Sequence, residues 1–170
     1  GECAVAGLDC GREVSGLIDS DTTWTTAEGA VHITGSLMVE EGSTLQIEPG
    51  VRVCFDPGMG LIVQGGIIAR GTSDDPIEFT AAESYAEAGY WGSIQLYSTA
   101  IDAEIDAGGT YGGGSAFEHV QIRYGGADAD GAITVTNAAV YVNDATIEHS
   151  ASSGLAIIGE SGDGTIPLSW

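Results

Sequence analysis

Residues 36–80 read SLMVEEGSTLQIEPGVRVCFDPGMGLIVQGGIIARGTSDDPIEFT, and this stretch decides the fold. Pairs of apolar residues separated by one position recur every eight residues, except that small residues, Ala69 and Gly71, occupy one step, and glycine recurs at the same interval. Side chains at positions i and i+2 of a β-strand point to the same face, so each pair predicts a short strand with one buried face. The pairs are Leu37/Val39, Leu45/Ile47, Val53/Phe55, Leu61/Val63 and Ile77/Phe79, and the glycines are Gly42, Gly50, Gly58 and Gly66.

This rhythm predicts a solenoid, in which coils stack and each coil buries the apolar face of its neighbour. A glycine between strands suits a turn with a positive φ angle, whereas repeated glycines would destabilise a helix. A coil could close after two octads or after three. Three octads are preferred because they align apolar residues of neighbouring coils: Leu37 with Leu61, Leu45 with Ala69, and Val53 with Ile77. The ten residues of the apolar pairs are the predicted core.

The segments STLQIEPGVRVCF and GLIVQGGIIARGTSDDPIEFT resemble the repeat of secreted bacterial right-handed parallel β-helix proteins, the pectin-lyase-like solenoids. The similarity is strong over residues 30–80 and looser over residues 90–97 and 116–158. It implies an all-β, right-handed parallel β-helix and an extracellular or cell-surface location of bacterial type. The group includes polysaccharide lyases, adhesins and non-catalytic surface modules, so the resemblance does not by itself assign an activity.

The charge of the chain limits its partners. It holds 25 acidic residues against four arginines and no lysine, for a net charge of −21. Such a field repels nucleic acid, acidic polysaccharides and anionic membranes, and it attracts divalent cations or basic partners. No apolar run approaches the roughly 18 residues that span a bilayer, so membrane insertion is not expected. The length of 170 residues predicts one domain, and a start at glycine is consistent with a mature secreted protein.

Three cysteines indicate an oxidising compartment, in agreement with secretion. Cys3 and Cys10 flank a short loop that contains glycine, and a local disulfide between them is predicted. Cys54 alternates with Val53 and Phe55, so its side chain is expected to point outward. It would then be unpaired, or it would pair with the N-terminal segment or with another chain.

Residues 1–30 are predicted to form an N-terminal cap, in which Trp24 covers the open end of the first coil. A cap is needed because an end coil exposes apolar core and unpaired backbone groups. The solenoid is expected over residues 31–170. An acidic, glycine-rich excursion near residues 98–115 interrupts it, and this segment is too long for a corner and is expected to protrude as a loop.

The segment GTIPLSW predicts a final strand on which Ile166, Leu168 and Trp170 share one face. These residues either fold back as the lid of the last coil or reach another subunit. An uncapped β-helix end is a template for the next copy, and head-to-tail addition produces a filament. The expected partner is therefore a second copy of the chain.

Few residues are candidates for catalysis or metal binding. A polysaccharide lyase of this fold needs a basic residue that removes a proton, and cations that neutralise the substrate. Arg123, in HVQIRYGG, is the one arginine beside the excursion. Asp128 and Asp130 offer two carboxylates on a turn, which suits calcium because this ion binds about six to eight oxygen atoms. No other cofactor is expected.

The sequence therefore favours a non-enzymatic structural β-solenoid, secreted or on a cell surface, that associates with itself through its ends. The alternative is a carbohydrate-binding or adhesive module. It would recognise an extracellular polysaccharide with the excursion and the aromatic residues near it, which are Tyr90, Trp91, Tyr97 and Tyr111. A third hypothesis is a calcium-assisted polysaccharide lyase that uses Arg123.

Overall fold

A computed structural model describes residues 10–159 of the chain. These residues form fifteen β-strands and one turn of 3₁₀ helix, Thr26–Glu28, in agreement with the predicted all-β class. No helix in this range is long and apolar enough to cross a membrane. The strands are β1 (Arg12–Ile18), β2 (Thr22–Trp24), β3 (Val31–Val39), β4 (Thr44–Ile47), β5 (Arg52–Phe55), β6 (Leu61–Val63), β7 (Gly66–Arg70), β8 (Ile77–Ala81), β9 (Ile94–Leu96), β10 (Glu104–Ile105), β11 (Tyr111–Gly113), β12 (Ala116–Arg123), β13 (Gly131–Thr136), β14 (Tyr141–Glu148) and β15 (Ser153–Ile158).

Thirteen strands pair in parallel and wind into a coil with three faces, which we name A, B and C in chain order. Strands β1 and β3 bend from face A into face B, and β12 and β14 bend from face C into face A. Strands β10 and β11 form a separate antiparallel hairpin. The protein is thus the right-handed parallel β-helix expected from its sequence, with the three-sided coil.

Six coils stack within residues 10–159, and the sixth contributes faces A and B. Face A contains residues 12–14, 31–33, 52–55, 77–81, 120–123 and 145–148. Face B contains residues 16–18, 37–39, 61–63, 94–96, 133–135 and 155–157. Face C contains residues 22–24, 44–47, 66–70, 116–118 and 141–143.

One of the three predicted register pairs is confirmed, and two are shifted by two residues. Leu37 pairs with Leu61 as expected. The observed partners of the other two residues are Ile67 for Leu45, in place of Ala69, and Phe79 for Val53, in place of Ile77.

The two shifts run in opposite directions, and the one at Leu45 begins at the corner between faces B and C. Residues 40–43 turn this corner in coil 2, whereas Gln64 and Gly65 turn it alone in coil 3, so the next strand starts two residues earlier. The short corner requires glycine, because a Cβ atom at Gly65 would collide with the carbonyl oxygens of Glu40 and Ser43. An equal spacing of apolar pairs in the sequence therefore conceals corners of unequal length.

The core lies inside the coil. All ten predicted core residues are at most 1% exposed, so this prediction is confirmed. Phe55 of coil 3 stacks on Trp91 of coil 4, with ring centroids 4.1 Å apart, and Phe79 meets Phe117 edge to face at 6.2 Å. Burial of such large apolar side chains is the main source of stability in this all-β fold.

The N-terminal segment belongs to the solenoid from residue 12 onward. β1 pairs in parallel with β3, and β2 pairs with β4, so residues 12–24 form the first coil. The expected boundary between cap and solenoid at residue 30 therefore moves toward the N-terminus. Trp24 lies beside Ile47 at the end of β2 and is 1% exposed, so its side chain is part of the core at this end.

The disulfide joins Cys10 to Cys54, and the predicted pair of Cys3 with Cys10 is wrong. The Cys54 side chain alternates with inward neighbours, but it is fully buried because Cys10 covers it. The chain that leads into β1 runs along face A, where the amide of Arg12 donates to the carbonyl of Ala30. This path brings the Cα atoms of the two cysteines to 5.7 Å across a sequence separation of 44. Cys3 lies outside the described residues.

Candidate functional site

The predicted excursion is a hairpin that lies against the solenoid. β10 pairs with β11, and Asp106 closes the turn, since its Oδ1 accepts hydrogen bonds from the amides of Gly108 and Thr110 at 2.9 and 2.8 Å. These backbone hydrogen bonds lower the pKa of Asp106. At the base of the hairpin, the amide of Ala139 donates to Oδ1 of Asp102 at 2.7 Å. The excursion is therefore held to the solenoid by a hydrogen bond as well as by its chain connections.

Tyr111 attaches the hairpin to face C. The guanidinium carbon of Arg70 lies 4.5 Å from the centroid of its ring, and the ring of Tyr141 lies 5.3 Å away. The Tyr111 hydroxyl donates to the carbonyl of Gly114 at 2.7 Å, and burial raises its pKa. Much of this side chain is thus engaged in contacts within the molecule.

Two other aromatic residues that the sequence proposed as ligand contacts lie where coil 4 passes from face A to face B. Trp91 is fully buried, and its indole N–H donates to the carbonyl of Arg123 at 2.7 Å, so its ring is not on the surface. Tyr90 is half-buried, and its pKa is raised first by burial and then by the carboxylates of Glu83 and Asp56.

Tyr97 is the most exposed of the four proposed aromatic residues, at 39%. It follows β9 at the edge of face B, and its hydroxyl donates to Oε1 of Gln95 at 2.7 Å. The structure therefore distributes the four side chains over the core, face C and face B, and does not bring them together in one site.

Face A carries a row of alternating charges across four coils. Glu78 accepts hydrogen bonds from Nε of Arg52 at 2.7 Å and from Nη1 of Arg123 at 3.2 Å. Arg123 also donates to Glu148 at 3.1 Å and to the side chain of Gln121 at 3.2 Å. The guanidinium that the sequence offered as a catalytic base is thus bound by three side-chain acceptors, and it holds neighbouring coils together.

A second charged row lies on face C. Nε of Arg70 donates to Oε2 of Glu118 at 2.7 Å, and the amide of Asn143 donates to the other oxygen at 3.3 Å. Partial burial opposes ionisation of Glu118, but these hydrogen bonds outweigh it and lower its pKa. Because Arg12 lies 3.9 Å from Glu28, all four arginines of the chain form ion pairs within the molecule.

The predicted calcium ligands Asp128 and Asp130 stand on the turn that leads into β13, and both are exposed. Among residues 10–159, no group of three or more His, Cys, Asp or Glu side chains is placed to hold a metal ion. Two carboxylates supply fewer oxygens than the about six that calcium requires. The calcium site stays a prediction, and backbone oxygens or water would have to complete it.

A shallow groove of about 250 Å³ crosses the outer surface of face B beside its corner with face A. Ile62, Gln95 and Asp128 form its sides. The floor consists of small residues from successive coils, which are Ser36, Gly58, Gly60, Gly92 and Ser93. Ser93 is 4% exposed, and its hydroxyl donates to the carbonyl of Gly131 at 2.6 Å, which ties the floor to coil 5.

The inward side chains of the sixth coil are less buried than those of the fifth. Leu155 and Ile157 are partly buried, whereas their register partners Ile133 and Val135 are fully buried. Ile147, on face A of the sixth coil, is also partly buried. A coil buries its interior fully when it has a neighbour on each side. The sixth coil therefore presents a partly open apolar interior.

Comparison with known proteins identifies the family of this fold. The model of the pectate-lyase-like beta helix domain matches residues 16–161. The chain belongs to this family. No curated protein and no solved structure gives a significant match. Pectate-lyase-like β-helices include enzymes, so membership gives the architecture and leaves the activity to be argued from the side chains.

The groove and the surface around it are features of this β-helix that the sequence analysis missed. A signal was present, because the 24-residue spacing that aligns Leu37 with Leu61 also aligns the outward residues Met38 and Ile62. Comparison of outward positions from coil to coil, and not only of inward ones, would have shown that the central outward rows of faces B and C carry no charged residue.

Proposed function

We propose that this pectate-lyase-like β-helix is a non-catalytic structural domain of a secreted or cell-surface protein, and that it associates with copies of itself through its solenoid ends. The observation that carries the proposal is the partly open interior of the sixth coil, where Ile147, Leu155 and Ile157 are incompletely buried. A second copy stacked on this coil would bury these side chains as the fifth coil is buried.

The two ends of the solenoid differ. At the first coil, Ile18 and Trp24 are buried, at 7% and 1% exposure, and Val14 is partly buried, whereas in the sixth coil none of Ile147, Leu155 and Ile157 is fully buried. This difference favours contact between two sixth coils over head-to-tail addition. A contact of that kind uses the same surface on both copies and closes as a dimer. A filament would require in addition that the first coil accept a partner.

The side chains support a role without catalysis. A lyase base must reach the substrate and accept a proton from it. Arg123 instead donates to Glu78, Glu148 and Gln121, in a row that spans coils. The net charge of −21 would also repel an acidic polysaccharide substrate.

The disulfide supports a location outside the reducing cytosol. Disulfides persist in oxidising compartments, and this one joins Cys10 to Cys54 with exposures of 5% and 0%. The high acidity agrees with such a location, since it keeps an all-β protein soluble and opposes uncontrolled pairing of strand edges.

Light scattering and negative-stain imaging test the proposal. The unmodified chain is expected to form dimers or a series of oligomers at high concentration, and Ile157→Asp is expected to abolish them, because it places a charge on the inward row of the sixth coil. Thr146→Asp is the control, since Thr146 is exposed on the outer side of the same coil. A monomer at every concentration would reject self-association, provided that circular dichroism shows the β-helix intact.

Two further experiments determine which part of the chain, and whether calcium, holds the oligomers together. Truncation after residue 159 tests the prediction for Ile166, Leu168 and Trp170, which lie outside the described residues. Loss of oligomers would assign the contact to these residues, and retention would assign it to the sixth coil. Measurement with calcium and then with chelator tests the predicted ligands Asp128 and Asp130, because oligomers held by calcium should dissociate when it is removed.

The groove on face B favours carbohydrate binding as a second candidate function. It combines a floor of small residues with the amide of Gln95 and, beside it, the exposed ring of Tyr97, a combination that suits a sugar ring. Calorimetry against a panel of neutral polysaccharides tests this function. Binding should weaken in Tyr97→Ala and persist in Tyr85→Ala, a control that removes an 86% exposed tyrosine that does not line the groove.

A further inference from the structure

We infer that residues 166–170, which lie outside the described range, dock on the open edge of β14 as a parallel strand and form face C of the sixth coil. The inference goes beyond the proposed self-association, because it concerns a contact within one copy. Three observations carry it, which are the incomplete interior of the sixth coil, the direction of the backbone groups on β14, and the position at which the chain leaves face B.

The interior of the sixth coil lacks the side chains of one face. In the fifth coil, the buried Val140 and the partly buried Val142 line face C. In the sixth coil, the described part of the chain supplies inward side chains from faces A and B alone. The sequence continues with Ile166 and Leu168, two apolar residues separated by one position, which is the pattern of the inward pairs elsewhere. Placed on face C, this pair would cover Val142.

The backbone of β14 presents hydrogen-bonding groups to the missing face. Outward residues bond to the preceding coil, as the amide of Tyr141 does to the carbonyl of Ser115 at 3.0 Å. Inward residues bond to the following coil, as the amide of Leu61 does to the carbonyl of Ser93 at 3.1 Å. Val142 is inward, so its amide and carbonyl point to the side on which the described part of the chain places no strand. Such an edge is a template for an added strand.

Pro167 fixes the register of the added strand. In a parallel pair, the amide of Val142 donates to the residue before its partner, and its carbonyl accepts from the residue after it. If Ile166 were the partner, the residue after it would be Pro167, which has no N–H group. With Leu168 as the partner, Pro167 supplies the carbonyl and Ser169 supplies the amide. Leu168 therefore pairs with Val142, and Pro167 stands at the start of an edge strand, where proline is tolerated.

The connection to the added strand has a suitable length and composition. Corners from face B to face C contain three residues in coil 1, four in coils 2 and 5, and two in coil 3. β15 ends at Ile158, which leaves residues 159–165, GESGDGT, for this corner, and glycine, serine and aspartate are typical of turns. So short a tether holds the strand at a millimolar local concentration. A second copy is more dilute and brings a further charge of −21, so the occupant is the segment of the same chain.

Amide hydrogen exchange of Val142, measured by NMR at two protein concentrations, tests the inference. This amide should exchange slowly at both, because it donates to the carbonyl of Pro167, and Leu168→Asp should accelerate the exchange at least about tenfold. Ser169→Asp is the matched control, since it adds the same charge at the adjacent outward position and should leave the exchange close to that of the unmodified chain. The amide of Tyr141 is the internal reference and should stay slow in both variants.

The outcomes separate this inference from the proposed self-association. Slow exchange that is lost on dilution would assign the protection to a second copy and overturn the inference. Fast exchange in the unmodified chain, or equal effects of the two aspartate substitutions, would overturn it as well. Protection that does not depend on concentration supports it, also when light scattering shows a monomer throughout.

Two additions cover a variant that does not fold and test the register. Leu168→Ala replaces Leu168→Asp if the latter is unfolded, and it should accelerate exchange of the Val142 amide in the same direction by a smaller factor. In the unmodified chain, nuclear Overhauser contacts are expected between the methyl groups of Val142 and Leu168. Contacts of Val142 with Ile166 in their place would overturn the register.

Discussion

The two halves of the solenoid turn their corners with different residues. Between residues 10 and 60, positive φ angles occur at glycines, which are Gly11, Gly16, Gly29, Gly42, Gly50 and Gly58. Between residues 119 and 149, six residues with side chains adopt them, which are His119, Tyr124, Asp128, Asn137, Asp144 and His149. A left-handed conformation costs about 1–2 kcal/mol for a residue with a Cβ atom and little for glycine.

The second half offsets this cost with contacts between corners of neighbouring coils. The ring of Tyr124 stacks on that of His149 at 5.2 Å, and Nδ1 of His119 lies 3.7 Å from Oδ2 of Asp144. In both pairs a left-handed residue lies over another left-handed residue one coil later. Glycine makes a corner visible in the sequence, whereas a stacked pair of ordinary residues makes a corner that sequence periodicity does not reveal.

The largest expected effect concerns the residue that joins the two halves. The ring of Trp91 stacks on Phe55 of the first half, and its N–H donates to the carbonyl of Arg123 in the second. Trp91→Ala should lower the free energy of unfolding by about 3–5 kcal/mol, measured by chemical denaturation. Trp91→Phe keeps the stack, loses the hydrogen bond and should cost less. Equal losses in the two variants would contradict a role of the stack.

The second largest effect is expected from loss of the disulfide, and it should be confined to the first half of the solenoid. Replacement of Cys10 and Cys54 by serine removes a crosslink with a sequence separation of 44, and loop-closure entropy predicts a loss of about 4 kcal/mol. Hydrogen exchange should accelerate in coils 1–3 and stay unchanged in coils 5 and 6. A uniform increase along the chain would show that the two halves unfold as one unit.

Substitutions at two corner residues, one in each half, test whether glycine and non-glycine corners differ in strain. Gly42 has φ +86° with open space around it, so Gly42→Ala should destabilise by about 1 kcal/mol through backbone strain alone. Asp128 has φ +52°, and Asp128→Gly should stabilise by up to about 1 kcal/mol. Thermal melts measure both. Opposite signs are expected, and a destabilised Asp128→Gly would show that this carboxylate makes a contact that exceeds its strain.

The smallest expected effect is the dependence of the free energy of unfolding on pH at acidic values. The pKa of Glu118 is lowered in the folded state, because hydrogen bonds from Arg70 and Asn143 outweigh the opposing burial. Its contribution to stability is therefore present above the pKa of an unfolded glutamate, about 4.3, and is lost as the pH falls through the lower folded value. Denaturation below pH about 4 should be less steep in Glu118→Gln. An unchanged slope would show that other carboxylates dominate.

The sequence predicted the fold where each coil repeats the same chemistry. Leu37, Leu61 and Phe55 belong to the predicted core because apolar pairs and glycines alternate regularly there. The partner of Cys54 could not be predicted, because it depends on the path of residues 10–12 along face A and not on spacing. The groove on face B was predictable only in part: the alignment of Met38 with Ile62 could be read from their spacing, but the lining from Gly92 to Asp128 comes from coils of unequal length.

The position of the disulfide has a consequence for a molecule under tension. If force is applied at the C-terminal side, a solenoid whose coils contact only their neighbours unwinds from β15 backward. Unwinding past Cys54 is blocked, because that residue is tied to Cys10. The stretch from residue 55 to residue 159 could extend to roughly 350 Å at about 3.4 Å per residue, while the crosslinked segment stays closed. The disulfide would thus set a fixed maximum extension for the protein under tension.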